Sequence, residues 1–239
     1  MKKILILPLL ALIIGNVTAQ SLTKKQAEYF ILGTLSDTDG RFIYINNRDE
    51  FDHYFQWEKP LVSMIDSILK ANYSGMSFQL TQNQHPEGIP QYYFINSKSL
   101  CDKFNHYYKF EPTGSLTFPT GDTEYHGLLS DSIFHSEDQK LAFLAGVYVR
   151  FGEPTDTAYC IHIPESLSKV KVCYDILKGL KCRCSYQILN NIPTQVLVYF
   201  HPTTQVKAYL KKNSYLNAEV IRTRSLIFEN IYDHYREKE

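Results

Sequence analysis

The polar and apolar positions of this chain run through one order of elements, and that order occurs twice. Thr23 with Gln26 three residues on has the form of a capping box. An apolar helix follows, with Tyr29, Phe30, Leu32, Gly33 and Leu35, and runs into Ser36-Asp37-Thr38-Asp39-Gly40. Arg41 to Ile45 alternates as a strand, Phe42 and Tyr44 on one face, Ile43 and Ile45 on the other. After a polar stretch, Leu61, Ile65, Ile68 and Leu69 fall at helical spacing within Pro60 to Ala71. Strands over Met76 to Thr81 and Gln91 to Ile95 then flank a loop containing His85-Pro86-Glu87-Gly88, and a helix covers Ser97 to Tyr107.

The second series opens at Ser136 with Gln139, followed by an apolar helix from Leu141 that closes at Phe151-Gly152. A strand over Thr157 to Ile163, a helix over Ser166 to Leu180, strands over Cys184 to Leu189 and Gln195 to Phe200, and a helix over Thr203 to Lys212 complete it. Some of the letters repeat as well. Ser77-Phe78-Gln79-Leu80 returns as Ser185-Tyr186-Gln187-Ile188, and Ile68-Leu69-Lys70 as Ile176-Leu177-Lys178, both 108 positions on. Tyr93-Phe94 returns as Tyr199-Phe200. Such self-similarity reads as a diverged duplication. The expected fold is α+β, with two pseudo-symmetric α-β-α-β-β-α repeats over residues 20–109 and 136–212. An ordered connector over 110–135 joins them. Leu216, Val220, Ile227, Ile231 and Tyr235 mark an amphipathic C-terminal helix within 213–239.

Residues 1–19 form a segment of another kind. Lys2 and Lys3 precede an apolar run from Ile4 to Ile14, and Val17 and Ala19 take the small-residue positions of a signal-peptidase site. Eleven residues are too few to span a bilayer as a helix, so the segment reads as a cleaved signal peptide without later membrane insertion. The expected protein is an exported bacterial one, periplasmic or secreted, and monomeric. Removing Lys2 and Lys3 from 25 basic and 25 acidic residues leaves a net charge of −2. That balance disfavours nucleic acid as a partner, because neutralised phosphates drive such binding, and leaves an unknown extracytoplasmic ligand or protein.

The two opening helices carry a family resemblance. Residues 143–152 read Phe-Leu-Ala-Gly-Val-Tyr-Val-Arg-Phe-Gly, and residues 31–40 read Ile-Leu-Gly-Thr-Leu-Ser-Asp-Thr-Asp-Gly. Together they resemble the two halves of the motif of the LAGLIDADG homing endonucleases and maturases. The resemblance implies that the two motif helices pack side by side at the centre, Gly33 and Gly146 on the contact, with antiparallel sheets flanking them. It departs in showing one strand between the first two helices of each repeat, where the family has a hairpin. The family's nuclease chemistry implies an acid just before each terminal glycine, paired to hold divalent metal. Those positions are Asp39 and Phe151, and a phenyl ring offers a hard cation no oxygen. The favoured reading is therefore a non-catalytic ligand- or partner-binding module with no cofactor. The alternative is a divergent endonuclease, with Asp39 catalytic and Mg²⁺ as cofactor, or a nucleic-acid-binding protein.

Other chemistry is thin. Asp37-Thr38-Asp39-Gly40 begins like a calcium loop, but Asn47, Asp49 and Glu50 fall outside the required spacing. Cys160, Cys173, Cys182 and Cys184 lie in one repeat of an exported chain and could form a disulfide, leaving Cys101 over, or remain buried thiols. A zinc site adding His162 is a poor match to common spacings. His85 reads as a polar hairpin tip, and Tyr92, Tyr93, Tyr107 and Tyr108 as half-buried strand residues or a stacking surface. A helix junction closed by Phe151 needs no metal, so EDTA is expected to leave the melting temperature unchanged. A large drop would place a metal near Asp37, Asp39 or Glu153.

Overall fold

The structure, a computed structural model, describes residues 22–37, 41–44, 49–83, 91–117, 123–155, 158–164, 166–190 and 194–236. Residues 1–19, Asp39-Gly40 and the His85 loop lie outside the described residues. Two helices, α1 (Lys24–Thr34) and α4 (Glu137–Phe151), lie side by side at the centre. Both begin with the expected capping box, Thr23 with Gln26 and Ser136 with Gln139. Nearly every residue of α1 from Ala27 and of α4 from Leu141 is buried. Such helices, apolar on all sides, are stable only inside a protein.

Gly33 and Gly146 make the close contact between them. A Cβ on Gly33 would overlap the carbonyl oxygen of Phe143 and sit 2.9 Å from the Val147 nitrogen. A Cβ on Gly146 would overlap the carbonyl of Phe30 and sit 3.3 Å from the Cα of Gly33. The two backbones meet glycine to glycine. Gly152, which ends α4, is extended at φ −81° and ψ 140°. It is not a left-handed cap; a Cβ there would strike Tyr148.

Among the described residues, ten strands form three antiparallel sheets. One is β2 (Glu50–Phe55), β4 (Tyr92–Asn96) and β3 (Gln79–Gln82), in that order. Another is β7 (Gly152–Pro154), β8 (Tyr159–Pro164), β10 (Gln195–His201) and β9 (Arg183–Leu189). Each stays within one repeat. The third takes β1 (Arg41–Tyr44) from the first repeat and pairs it with β6 (Thr123–Leu129) and β5 (Tyr108–Thr117). The connector is therefore built largely of a hairpin. Helices α2 (Lys59–Asn72) and α5 (Leu167–Gly179), the shorter α3 (Lys98–Asn105) and α6 (Thr204–Lys211), and the long α7 (Ser214–Arg236) complete the chain.

The expectation of one strand between the first two helices of each repeat is corrected. The second repeat has the β7–β8 hairpin, and the first has β1 and β2, which do not pair with each other. β2 escaped notice because its charges obscure its alternation. Asp52 is buried together with Phe51 and Tyr54, its carboxylate answered by an ion pair.

Substituting Gly146 with alanine tests the central contact. Alanine favours an isolated helix by about 1 kcal/mol over glycine, but here it must force two backbones apart. Gly146→Ala is expected to lower the unfolding free energy by about 3 kcal/mol in urea denaturation, whereas Gly179→Ala, with open space around it, should cost far less.

Candidate functional site

The C-terminal ends of α1 and α4 meet in a buried cluster of three cations and three carboxylates. Arg41, Arg150, Lys169, Asp37, Asp52 and Glu58 are each between 0% and 7% exposed. Arg150, in the last turn of α4, uses all five of its N–H groups. Nε donates to Glu58 Oε1 at 2.8 Å, and Nη1 to the Thr34 carbonyl at 2.5 Å and Asp52 Oδ2 at 3.1 Å. Nη2 donates to the His53 carbonyl at 2.7 Å and Glu58 Oε2 at 3.1 Å. The guanidinium also lies 4.3 Å from the Tyr54 ring centroid, at cation–π distance. Burial works against its charge, but Glu58 and Asp52 outweigh burial and raise its pKa.

Lys169, from α5, reaches the end of α1. Its ammonium donates to the carbonyls of Leu35 and Gly33 and lies 2.5 Å from Asp37 Oδ1. Burial pushes the Asp37 carboxyl up against the pull of Lys169 and Arg41. Tyr108 donates to the other Asp37 oxygen at 3.5 Å, and the Ser36 N–H donates to Asp52 Oδ1 at 3.0 Å. Arg41 donates to Asn105 Oδ1 and to the Phe51 carbonyl. Both cations at the end of α1 thus meet unpaired carbonyls where the helix dipole is negative. The end of α4 is met in turn by Asn217 of α7, whose Nδ2 donates to the carbonyls of Tyr148 and Gly152, each at 2.9 Å.

This arrangement does not fit a divalent ion. Asp37 is held by Lys169, Asp52 and Glu58 by Arg150, and the half-buried Phe151 ring lies 5.3 Å from the Arg150 guanidinium and 5.5 Å from the Lys169 ammonium. Among the described residues, no group of three or more His, Cys, Asp or Glu is placed to hold a metal. Asp39, the candidate acid, lies outside the described residues. Sequence reasoning missed Arg150 and Lys169 because each looks like an ordinary helix-surface cation. A basic residue within an otherwise apolar run was the available signal for Arg150.

The cysteines offered for a disulfide are free thiols in the structure. Cys160, Cys173 and Cys182 are buried and Cys184 half-buried. Burial raises the Cys160 thiol to about 11 and the Cys173 thiol to about 12. His162 instead meets Gln195 at 2.7 Å.

The tyrosines separate. Tyr107 and Tyr108 are buried, hydrogen-bonding to Glu28 and Asp37 respectively. Tyr92 lies on the outer face of the β2-β4-β3 sheet, opposite the face of buried Tyr54 and Ile95. There Phe55 and Tyr92 have centroids 4.9 Å apart, Phe94 lies 6.2 Å from Tyr92, and His53 sits beside both. Phe55 stacks on Trp57 at 4.3 Å, and Trp57 meets the exposed Phe228 of α7 at 5.3 Å. A hydrogen bond with Glu50 raises the His53 pKa against burial.

The buried cluster yields a stability prediction. Arg150→Ala leaves Asp52 and Glu58 buried without their cation, and is expected to cost about 4 kcal/mol in chemical denaturation. Combining Arg150→Met with Asp52→Asn and Glu58→Gln removes charge on both sides and should recover part of that loss.

No family model matches the sequence, and no curated protein matches it. Among solved structures, the homing endonuclease I-DmoI in complex with DNA and Ca is similar at a TM-score of 0.51 and 13% identity, over 82% of this chain and 91% of that one. Its complex with DNA and Mn is similar to the same degree, over 98% of that chain. Full-length DUF199/WhiA from Thermatoga maritima is similar at a TM-score of 0.53 and 12% identity, over 89% of this chain and 64% of that one. The case against a nucleic-acid partner, drawn from net charge, is overturned by these neighbours: the same fold in I-DmoI is found on DNA. Net charge does not report how charge is distributed over a surface. At such low identity the likeness establishes the architecture, and the chain has a LAGLIDADG-like α+β fold.

Proposed function

We propose that this protein binds nucleic acid on a LAGLIDADG-like scaffold without cleaving it, and that it does so as an exported protein after loss of residues 1–19. The observation that carries the reading is the closed state of the central helix ends. The carboxylates described there, Asp37, Asp52 and Glu58, are paired internally with Lys169 and Arg150. Two acids sharing a divalent ion, which such cleavage calls for, would have to displace those partners. The fold, found on DNA in I-DmoI, supports nucleic acid as the ligand class.

The outer face of the β2-β4-β3 sheet suits this role. His53, Phe55, Tyr92 and Phe94 present half-buried rings there, with Thr81 and Asn96 beside them as neutral hydrogen-bonding groups. Aromatic rings on a sheet stack unpaired bases regardless of sequence. On the corresponding face of the other sheet Gln187, Gln195 and His162 lie around Leu197, with Tyr199 and Ser185 beyond. One repeat thus offers stacking, and the other hydrogen bonding.

Fluorescence anisotropy with labelled single-stranded and duplex oligonucleotides at low salt tests the reading. The mature chain is expected to prefer the single strand, and Phe55→Ala or Tyr92→Ala to weaken binding about tenfold each. Plasmid incubated with Mg²⁺ or Mn²⁺ should remain intact. Failure to bind either oligonucleotide removes the proposal, and metal-dependent cleavage abolished by Asp39→Ala restores the endonuclease.

A further inference from the structure

A cavity of about 520 Å³ opens between the end of α4, Thr155 and Ala158 beside β7 and β8, α6 and α7, and shares no lining residue with the aromatic sheet face. Its buried wall is Tyr148, Leu210 and Asn217, with Tyr159 and Ile221 half-exposed beside them. Lys207, Lys211 and Arg222 line its exposed side. Among the described residues that line it there is no carboxylate. Lys207 and Lys211 stand one turn apart on α6, a like-charge spacing that weakens a helix unless an anion lies between them. Arg222 is oriented by Glu219 at 2.8 Å from the preceding turn of α7.

The volume falls within the range of small-molecule sites, which are mostly apolar with a few convergent polar groups. An apolar wall beneath three cations is complementary to one chemistry: a short apolar body ending in a single anionic head, carboxylate or phosphate. We propose that this cavity binds such an amphipathic anion, with the apolar body against Tyr148 and Leu210 and the head between Lys207, Lys211 and Arg222. Tyr148 and Asn217 belong to the end of α4 and its cap, so an occupant touches the segment that joins α4 to α7. The proposal is independent of the nucleic-acid reading.

Isothermal titration of the mature chain with octanoate, octyl phosphate, octanol and inorganic phosphate tests it. Octanoate or octyl phosphate should bind, and whichever binds better identifies the head group. Octanol and inorganic phosphate should each bind at least about tenfold more weakly, since each lacks one half of the match. Lys207→Gln with Lys211→Gln, both on exposed positions, should lower affinity for the anionic amphiphile about tenfold. Ala218→Trp, which fills the cavity from an exposed lining position, should abolish binding while leaving the melting temperature and oligonucleotide binding unchanged. Binding of octanol equal to that of the two anions, full affinity in the lysine variant, or no heat with either anionic amphiphile would overturn the proposal.

Discussion

Arg150 joins α4 to the end of α1, to β2 and to the turn at Gln56–Glu58 that leads into α2, and the geometry of the helix ends depends on that junction. A guanidinium in a buried site is tolerable only when its donors are all met, and here they are. The glycine contact sets how close α1 and α4 lie, and Arg150 fixes where their ends stop relative to the first repeat's sheet. Lysine could not replace it: an ammonium has three donors and no planar fork to grip Glu58 with two nitrogens.

The described ends of the two central helices are closed by internal partners. The same scaffold can direct two helix ends toward a ligand or seal them. Here Lys169 and Asn217 bring outside side chains to carbonyls at the two helix ends, and Phe151 adds apolar surface between two cations.

The duplication has diverged unequally. Tyr93-Phe94 and Tyr199-Phe200 match as letters, yet Phe94 is on the outer face beside His53 while Phe200 is buried against Tyr148. Side chains alternate along a strand, so a correspondence shifted by one residue exchanges core for surface. The aromatic face of the first repeat consequently has no counterpart in the second.

The sequence by itself determined the order of the helices, both capping boxes and the apolar character of the central pair. All of these are local: a cap is read within four residues, and a helix buried on all sides has no polar stripe. Tertiary structure decided the rest. β1 left its own repeat to pair with the connector, because strand partners are chosen by register and space and not by neighbouring letters. Arg150 and Lys169 gained their roles from Glu58, Asp52 and Asp37, which are far from them along the chain, and no local pattern names the distant carboxylate that a buried cation will meet. Net charge misled for a related reason: a sum over the chain does not say where on the folded surface the charges lie.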